Sequence, residues 1–141
     1  MEQLKQTIEQ ILGASGLSFS VEVEPEANRV NIFIHDEGLT KEFLPRLVAD
    51  LEHVIKIAAK KLGIEKVGVD VNNYKRERER LIGELAKAAA RKVLAEKKEI
   101  ELPAMNAYER RIVHVELATR PDVKTESVGE GTDRHIIVRP L

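Results

Sequence analysis

The chain has 141 residues, 43% hydrophobic and 33% charged, with a formal net charge of −1. That composition fits one compact domain or two very small ones and excludes a disordered or low-complexity polymer. The absence of cysteine excludes disulfides, thiolate zinc sites and cysteine nucleophiles.

The charge is uneven. Residues 1–72 carry 8 Lys/Arg against 12 Asp/Glu, and residues 73–141 carry 15 against 12, so a polyanion is drawn to the second half. The amino terminus, Met1-Glu-Gln-Leu-Lys-Gln6, opens a polar amphipathic pattern without the apolar run of a signal peptide. No stretch approaches the ~18 apolar residues that span a bilayer. A cytoplasmic protein without membrane insertion is expected.

Leu4, Ile8, Ile11 and Leu12 recur at helical spacing, and Gly13 with Gly16 stops the helix. From Leu17 the period falls to two through Phe19, Val21 and Val23. The turn Pro25-Glu-Ala-Asn28 and a second alternating run, Val30, Ile32 and Ile34, complete an antiparallel hairpin. After the polar break His35-Asp-Glu-Gly38 a helical pattern runs through Leu44, Leu47, Val48, Leu51, Val54, Ile55, Ala58 and Leu62 to Gly63. Pro45 within it predicts a short helix separated from a long one. Val67, Val69 and Val71 form a third strand. The order expected for residues 1–72 is helix, strand, strand, helix, helix, strand.

Asn72-Asn73 can cap a helix from Tyr74 to about Lys98, with Leu81, Ile82, Leu85, Ala88, Ala89 and Val93 as its apolar stripe. Beyond Pro103, Asn106 and Glu109 fit a capping box. The helix they open buries Tyr108, Ile112 and Val115 and ends near Thr119. Lys124–Ser127 and His135–Val138, joined by Val128-Gly-Glu-Gly-Thr-Asp133, make a closing hairpin, with an extended piece at Ile100-Glu-Leu102 before it. The second half is helix, helix, strand, strand, and the whole chain is of the α+β class.

Arg110 and His114 lie one turn apart on the same side of their helix, with Arg111 further round. A guanidinium forks phosphate oxygens. An imidazole can donate to a phosphate or stack on an unpaired base. Taken alone, the pair reads equally as a solvated helix face.

The run Met105-Asn-Ala-Tyr-Glu-Arg-Arg-Ile-Val-His114, followed by Arg120-Pro-Asp-Val, Thr125-Glu-Ser127 and Gly129-Glu-Gly131, resembles the R-3-H domain, named for an Arg and a His separated by three residues. It is most similar to the carboxy-terminal domain of bacterial Jag-type (SpoIIIJ-associated) KH and R-3-H proteins. The resemblance covers about residues 70–141. It implies a single-stranded nucleic-acid-binding domain at 73–141, with helices on a small sheet and Arg110, His114 and Arg111 as its contacts. Arg134-His135, which opens the last strand, is a further basic pair. Its other reading is a strand edge kept soluble by charge.

By the same resemblance residues 1–72 are a type II KH-like domain, with Val69-Asp-Val-Asn-Asn-Tyr74 as the junction. A KH domain clamps the backbone with a Gly-x-x-Gly loop. Phe43-Leu-Pro-Arg46 stands there instead, and Leu44 and Pro45 crowd the site and withdraw an amide. The first lobe is therefore read as a KH-like scaffold that has lost the usual grip, or as a protein-binding face. The extra amino-terminal domain of many Jag-type proteins is expected to be absent.

Lys75, Arg76, Arg78, Arg80, Lys87, Arg91 and Lys92 are interleaved with Glu77, Glu79 and Glu84, the pattern of a solvated helix. Only Arg76 and Arg80 are singled out as additional phosphate contacts. His35 and His53 have no second histidine at ligand spacing. No nucleophile elbow or Walker loop occurs, so neither an enzyme nor a cofactor is expected. The resulting expectation is binding of single-stranded RNA, or DNA, in post-transcriptional regulation, with a resemblance-based link to cell elongation or division. The alternative is a protein-interaction adaptor.

Overall fold

A computed structural model describes residues 1–141. The chain divides into two compact units, Met1–Arg76 and Glu77–Leu141.

In the first unit, helix α1 (Glu2–Gly13) buries Leu4, Ile8 and Leu12, spaced four residues apart so that they share one face. Strands β1 (Phe19–Glu24) and β2 (Arg29–Ile34) pair antiparallel, Val21 opposite Ile32. Between them a turn of 3-10 helix, Pro25–Ala27, closes on Asn28 in the left-handed conformation. Helix α2 (Leu44–Lys61) then crosses over to β3 (Gly68–Val71), which lies parallel to β2, as a parallel pair requires. Val30, Ile32, Val69 and Val71 of the sheet pack with Val48, Ile55 and Ala59 of α2 and the α1 stripe into one core.

One helix, not two, lies between β2 and β3. Residues before Leu44 form turns, with Leu39 N–H donating to Asp36 and Phe43 N–H to Thr40. Pro45 falls in the first turn of α2, where a missing N–H leaves no helical bond unmade. The proline starts the helix instead of dividing it.

Helix α3 (Tyr74–Glu96) follows without a linker, but not on the expected cap. Asn72 and Asn73 both have positive φ, 51° and 57°. The Asp70 carboxylate takes the N–H groups of Lys75 at 2.9 Å and Arg76 at 3.3 Å. Asn72 extends the sheet: its side-chain oxygen accepts from Ile34 N–H at 2.8 Å and its amide donates back to the Ile34 carbonyl.

The second unit contains most of α3, β4 (Ile100–Glu101), helix α4 (Ala107–Leu117), β5 (Val123–Val128) and β6 (His135–Pro140). Its antiparallel sheet runs β4-β6-β5, with Thr125 opposite Val138 and Ser127 opposite Ile136. Ile136 and Val138 pack with Ile82, Ala86, Ala89, Ala90 and Val93 of α3 and Val113 and Leu117 of α4.

Two buried faces differ from those expected. On α3, Leu81, Leu85 and Ala88 are exposed, while Ala86 and Ala90 are buried. Alanines carry little weight in a hydrophobic pattern, yet their size lets a helix approach its neighbours closely. On α4, Val115 is 64% exposed and Tyr108 is exposed, whereas Val113 is fully buried. Both stripes have helical period, and the ion pairs described next accompany the one that turns inward.

Candidate nucleic-acid interface

The start of α4 is set by the capping box that its residues predict. Asn106 Oδ1 accepts the Glu109 N–H at 2.9 Å, and Glu109 Oε1 accepts the Asn106 N–H at 3.2 Å, satisfying two donors that a helix start leaves open. The other Glu109 oxygen receives Arg78 Nε and Nη2 from α3 at 3.1 and 2.6 Å. Two turns on, Glu116 lies 3.5 Å from Lys87 of α3. The Tyr108 hydroxyl donates to Glu79.

These contacts sort the charges of α4. Its acidic residues turn to the cations of α3, its Val113 and Leu117 to the core, and Arg110 and His114 fall on the side of β5. The Arg110 guanidinium donates through Nη1 to the Met105 carbonyl at 2.6 Å. Met105 N–H in turn donates to the Arg134 carbonyl at 3.1 Å, so the Met105 backbone connects Arg110 to the start of β6. Arg110 keeps its remaining donors for other acceptors. Arg111 is exposed.

His114 is engaged at both ring nitrogens by β5. Nδ1 lies 2.7 Å from Thr125 Oγ1 and Nε2 lies 3.0 Å from Ser127 Oγ. The spacing of two along the strand puts both hydroxyls on one face, the face that also carries Val123 toward the helices. The ring is thus fixed between hydroxyls, and each contact can run in either direction according to the tautomer.

The remaining expected residues do not join this cluster as a set. His135 pairs with Val128 across β5 and β6 and so projects to the opposite face of the sheet from Thr125 and Ser127. Its Nδ1 contacts the Asp133 carbonyl at 2.9 Å and its buried Nε2 lies 3.8 Å from Glu101. That face carries both signs of charge: Lys124 and Arg139 stand on it with Glu99, Glu101 and Glu126, and Arg139 is held by Glu99 at 2.9 Å and Glu126 at 2.6 Å. Arg134 bends back to the Gly129 carbonyl at 2.9 Å and borders the cluster through Met105.

Arg80 is forked by Glu77 at 2.6 and 3.2 Å, and that carboxylate raises the arginine's pKa above its ordinary value. Arg76 lies in the first unit, 3.9 Å from Glu24. Thr125, Ser127 and Met105 adjoin Arg110 and His114 through these hydrogen bonds; the sequence pattern includes them but assigns them no contact. The alternation of two hydroxyls on a strand is the visible signal for the first two. Nothing in the sequence marks a backbone carbonyl as an arginine acceptor.

In the first unit Phe43 and Arg46 border an open cleft of about 320 Å³ lined also by Leu17, Ile34, Leu39 and Leu47. Its one basic side chain, Arg46, faces Asp50 at 3.8 Å, so it offers no convergent cationic groups to a phosphate. No group of three or more His, Asp or Glu side chains converges in a way that could hold a metal. No helix is long and apolar enough to cross a membrane.

Two helices on a three-stranded antiparallel sheet, with an Arg-xxx-His helix along one side, define the class of the second unit. Residues 80–140 match the family model of the R-3-H domain. The chain is also homologous to bacterial proteins named RNA-binding protein KhpB. The one from Clostridium symbiosum is 31% identical over 138 residues, 93% of this chain and 62% of that protein. The one from Bacillus subtilis is 38% identical over 76 residues, 52% of this chain and 36% of that protein. The one from Lactiplantibacillus plantarum is 32% identical over 95 residues, 66% of this chain and 30% of that protein. The chain thus spans less than two thirds of the length of each of these relatives.

Proposed function

We propose that this chain binds single-stranded RNA through residues 73–141 and acts in post-transcriptional regulation, with Arg110, Arg111 and His114 forming the contact surface. The observation that carries this reading is the sorting of charge on α4. Glu109 and Glu116 are drawn to Arg78 and Lys87, which leaves the Arg110 side of the helix cationic and without a carboxylate. A strand of phosphates meets guanidinium donors there, and unpaired bases can stack on arginine planes. The names of the homologues, RNA-binding protein KhpB, support RNA as the ligand.

Arg134 adds charge at the border of this surface. Arg80, already paired in solvent, adds little. Residues 1–72 are read as a KH-like scaffold in which Phe43-Leu-Pro-Arg46 replaces the glycine loop, so the first lobe does not grip phosphate. Its apolar cleft beside Phe43 favours a second reading for that lobe alone, a protein-binding face. The role is one of binding, not catalysis.

Few cationic groups converge, so affinity is modest and falls as salt rises. The test is a titration with short single-stranded RNA at two salt concentrations, with matched DNA as competitor. Arg110→Ala with His114→Ala is expected to weaken binding at least about tenfold and flatten the salt slope. Unchanged affinity in that double variant removes the assignment. A protein partner of the first lobe would survive ribonuclease treatment in a pull-down, whereas an RNA-bridged one would not.

A further inference from the structure

We propose that Thr125 and Ser127 are the hydroxyl donors that meet phosphate oxygens beside Arg110, and that His114 is the positioning residue that aims them. The inference rests on the reading of this surface as the strand-binding one and names how one of its residues works.

The imidazole is already occupied on both sides. With Nδ1 on Thr125 at 2.7 Å and Nε2 on Ser127 at 3.0 Å, neither nitrogen remains for a ligand without breaking a bond to the strand. A hydroxyl has one proton and two acceptor lone pairs, and a neutral imidazole has one N–H and one bare nitrogen. The hydroxyl that faces the bare nitrogen must give its proton to it. The hydroxyl that faces the N–H accepts and keeps its own proton for the outside.

The neutral ring therefore leaves one outward donor. The protonated ring, with two N–H groups, makes both hydroxyls acceptors toward itself and leaves both as outward donors. An anionic phosphodiester binds donors, so it binds the protonated arrangement better, and the complex takes up a proton on the ring. Histidine as a residue type changes charge between about pH 5 and 8, which sets the two conditions of the test.

The groups around the ring are compatible with this. From α4 they are Arg110, one turn before, and Arg111. On β5 the charged Lys124 and Glu126 project to the other face, because they pair with Arg139 and Ile137. From β6 the neighbours are the apolar Ile136 and Val138. The ring's hydrogen-bond partners are the two hydroxyls, neither of them ionised. Thr125, Ser127 and His114 are each half-buried, so none of the three is sealed in the core.

The measurement is the affinity of the full chain for a short single-stranded RNA without terminal phosphates, at about pH 8 and about pH 6 and constant salt, on either side of the histidine range. Wild type is expected to bind about tenfold tighter at the lower pH, the worth of one added charge-assisted hydrogen bond. Thr125→Val with Ser127→Ala, checked for its fold by circular dichroism, is expected to lose that pH dependence and bind about tenfold more weakly in acid. Exchanging the two hydroxyl residues, Thr125→Ser with Ser127→Thr, is expected to recover the pH dependence. Wild-type affinity that is flat across the two conditions overturns the proposal without any variant. If the hydroxyl-free variant keeps both affinity and pH dependence while Arg110→Ala is weakened, the hydroxyl role fails and the surface stands. If Arg110→Ala is also unaffected, the surface itself is wrong.

Discussion

Arg110 and Met105 are joined by a short hydrogen bond, guanidinium Nη1 to backbone carbonyl at 2.6 Å. It fixes the plane of the guanidinium from below, and the same residue's N–H, on the Arg134 carbonyl at 3.1 Å, fixes Met105 to the sheet. An arginine so held meets a phosphate with less side-chain freedom left to lose. The proposed interface thus has its arginine held by backbone atoms that no residue pattern advertises.

Lysine at this position tests the geometry apart from the charge. Its single ammonium can sit on the Met105 carbonyl or reach a phosphate, but it lacks the rigid fork that serves both. Arg110→Lys is expected to weaken RNA binding about tenfold while changing stability by less than about 1 kcal/mol. Affinity equal to wild type would mean that charge alone matters here. Paired titration and denaturation curves measure both quantities.

The capping box gives a second prediction. Asn106→Ala removes the side-chain acceptor for the Glu109 N–H and leaves Glu109 with its Arg78 contact but a looser helix start. The expected loss is about 1 kcal/mol, read from denaturation of the second unit. Because Arg110 lies in the same turn, RNA affinity should fall in parallel. A loss of stability without any loss of affinity would show that the site does not depend on this end of α4.

The elements of both units can be read from the sequence because their patterns are strong: Leu4, Ile8 and Leu12 on a helix, Val30, Ile32 and Ile34 on a strand, Asn106 with Glu109 at a helix start. The failures have particular causes. Pro45 is compatible with either a helix break or a helix start, and the structure decides for the start, since only isolated turns precede Leu44. Ile112 packs against the core as expected, but Val113 and Leu117, not Val115 and Tyr108, are the buried residues of α4, and Glu109 and Glu116 pair with distant residues of the chain, Arg78 and Lys87. Arg110 and His114 are legible as a pair. That His114 rests on Thr125 and Ser127, while His135 lies on the other side of the sheet, depends on strand register, which the sequence does not specify.

Acid should weaken the first unit through Glu52. Partial burial raises the pKa of its carboxyl, but hydrogen bonds and charge from Lys75 at 2.7 Å and Lys56 at 2.9 Å outweigh it, and the net shift is downward. A depressed carboxylate stabilises the fold fully above its unfolded pKa, about 4.3, and loses that contribution as pH falls through its lower folded value. Stability is expected to be flat in this respect from about pH 7 to about pH 5 and to decline below that range. Glu52→Gln should lower stability at neutral pH and show a shallower decline in acid. Denaturation series for both proteins at about pH 7 and about pH 3.5, above and below the unfolded carboxylate pKa, make the comparison, and identical differences at the two pH values would exclude Glu52 as a contributor.

The turn between β5 and β6 offers a contrast between two glycines. Gly129 has φ +88°, and a Cβ there would lie 3.1 Å from the Asp133 carbonyl oxygen and 3.3 Å from Arg134 Cα. Gly131 has φ +59° with nothing within 4 Å of the same atom. Alanine at 131 carries only the backbone penalty, roughly 1 kcal/mol. At 129 it adds a clash with backbone that has little room to move, for a total of about 2–3 kcal/mol. The Gly129 carbonyl also receives Arg134 Nη1, and the Arg134 carbonyl receives the Met105 N–H, so a shift here reaches the support of Arg110. Gly129→Ala is therefore expected to lower both stability and RNA affinity, and Gly131→Ala to lower stability slightly with affinity retained. Equal effects at the two positions would show that the turn relaxes freely and that Arg110 does not depend on it.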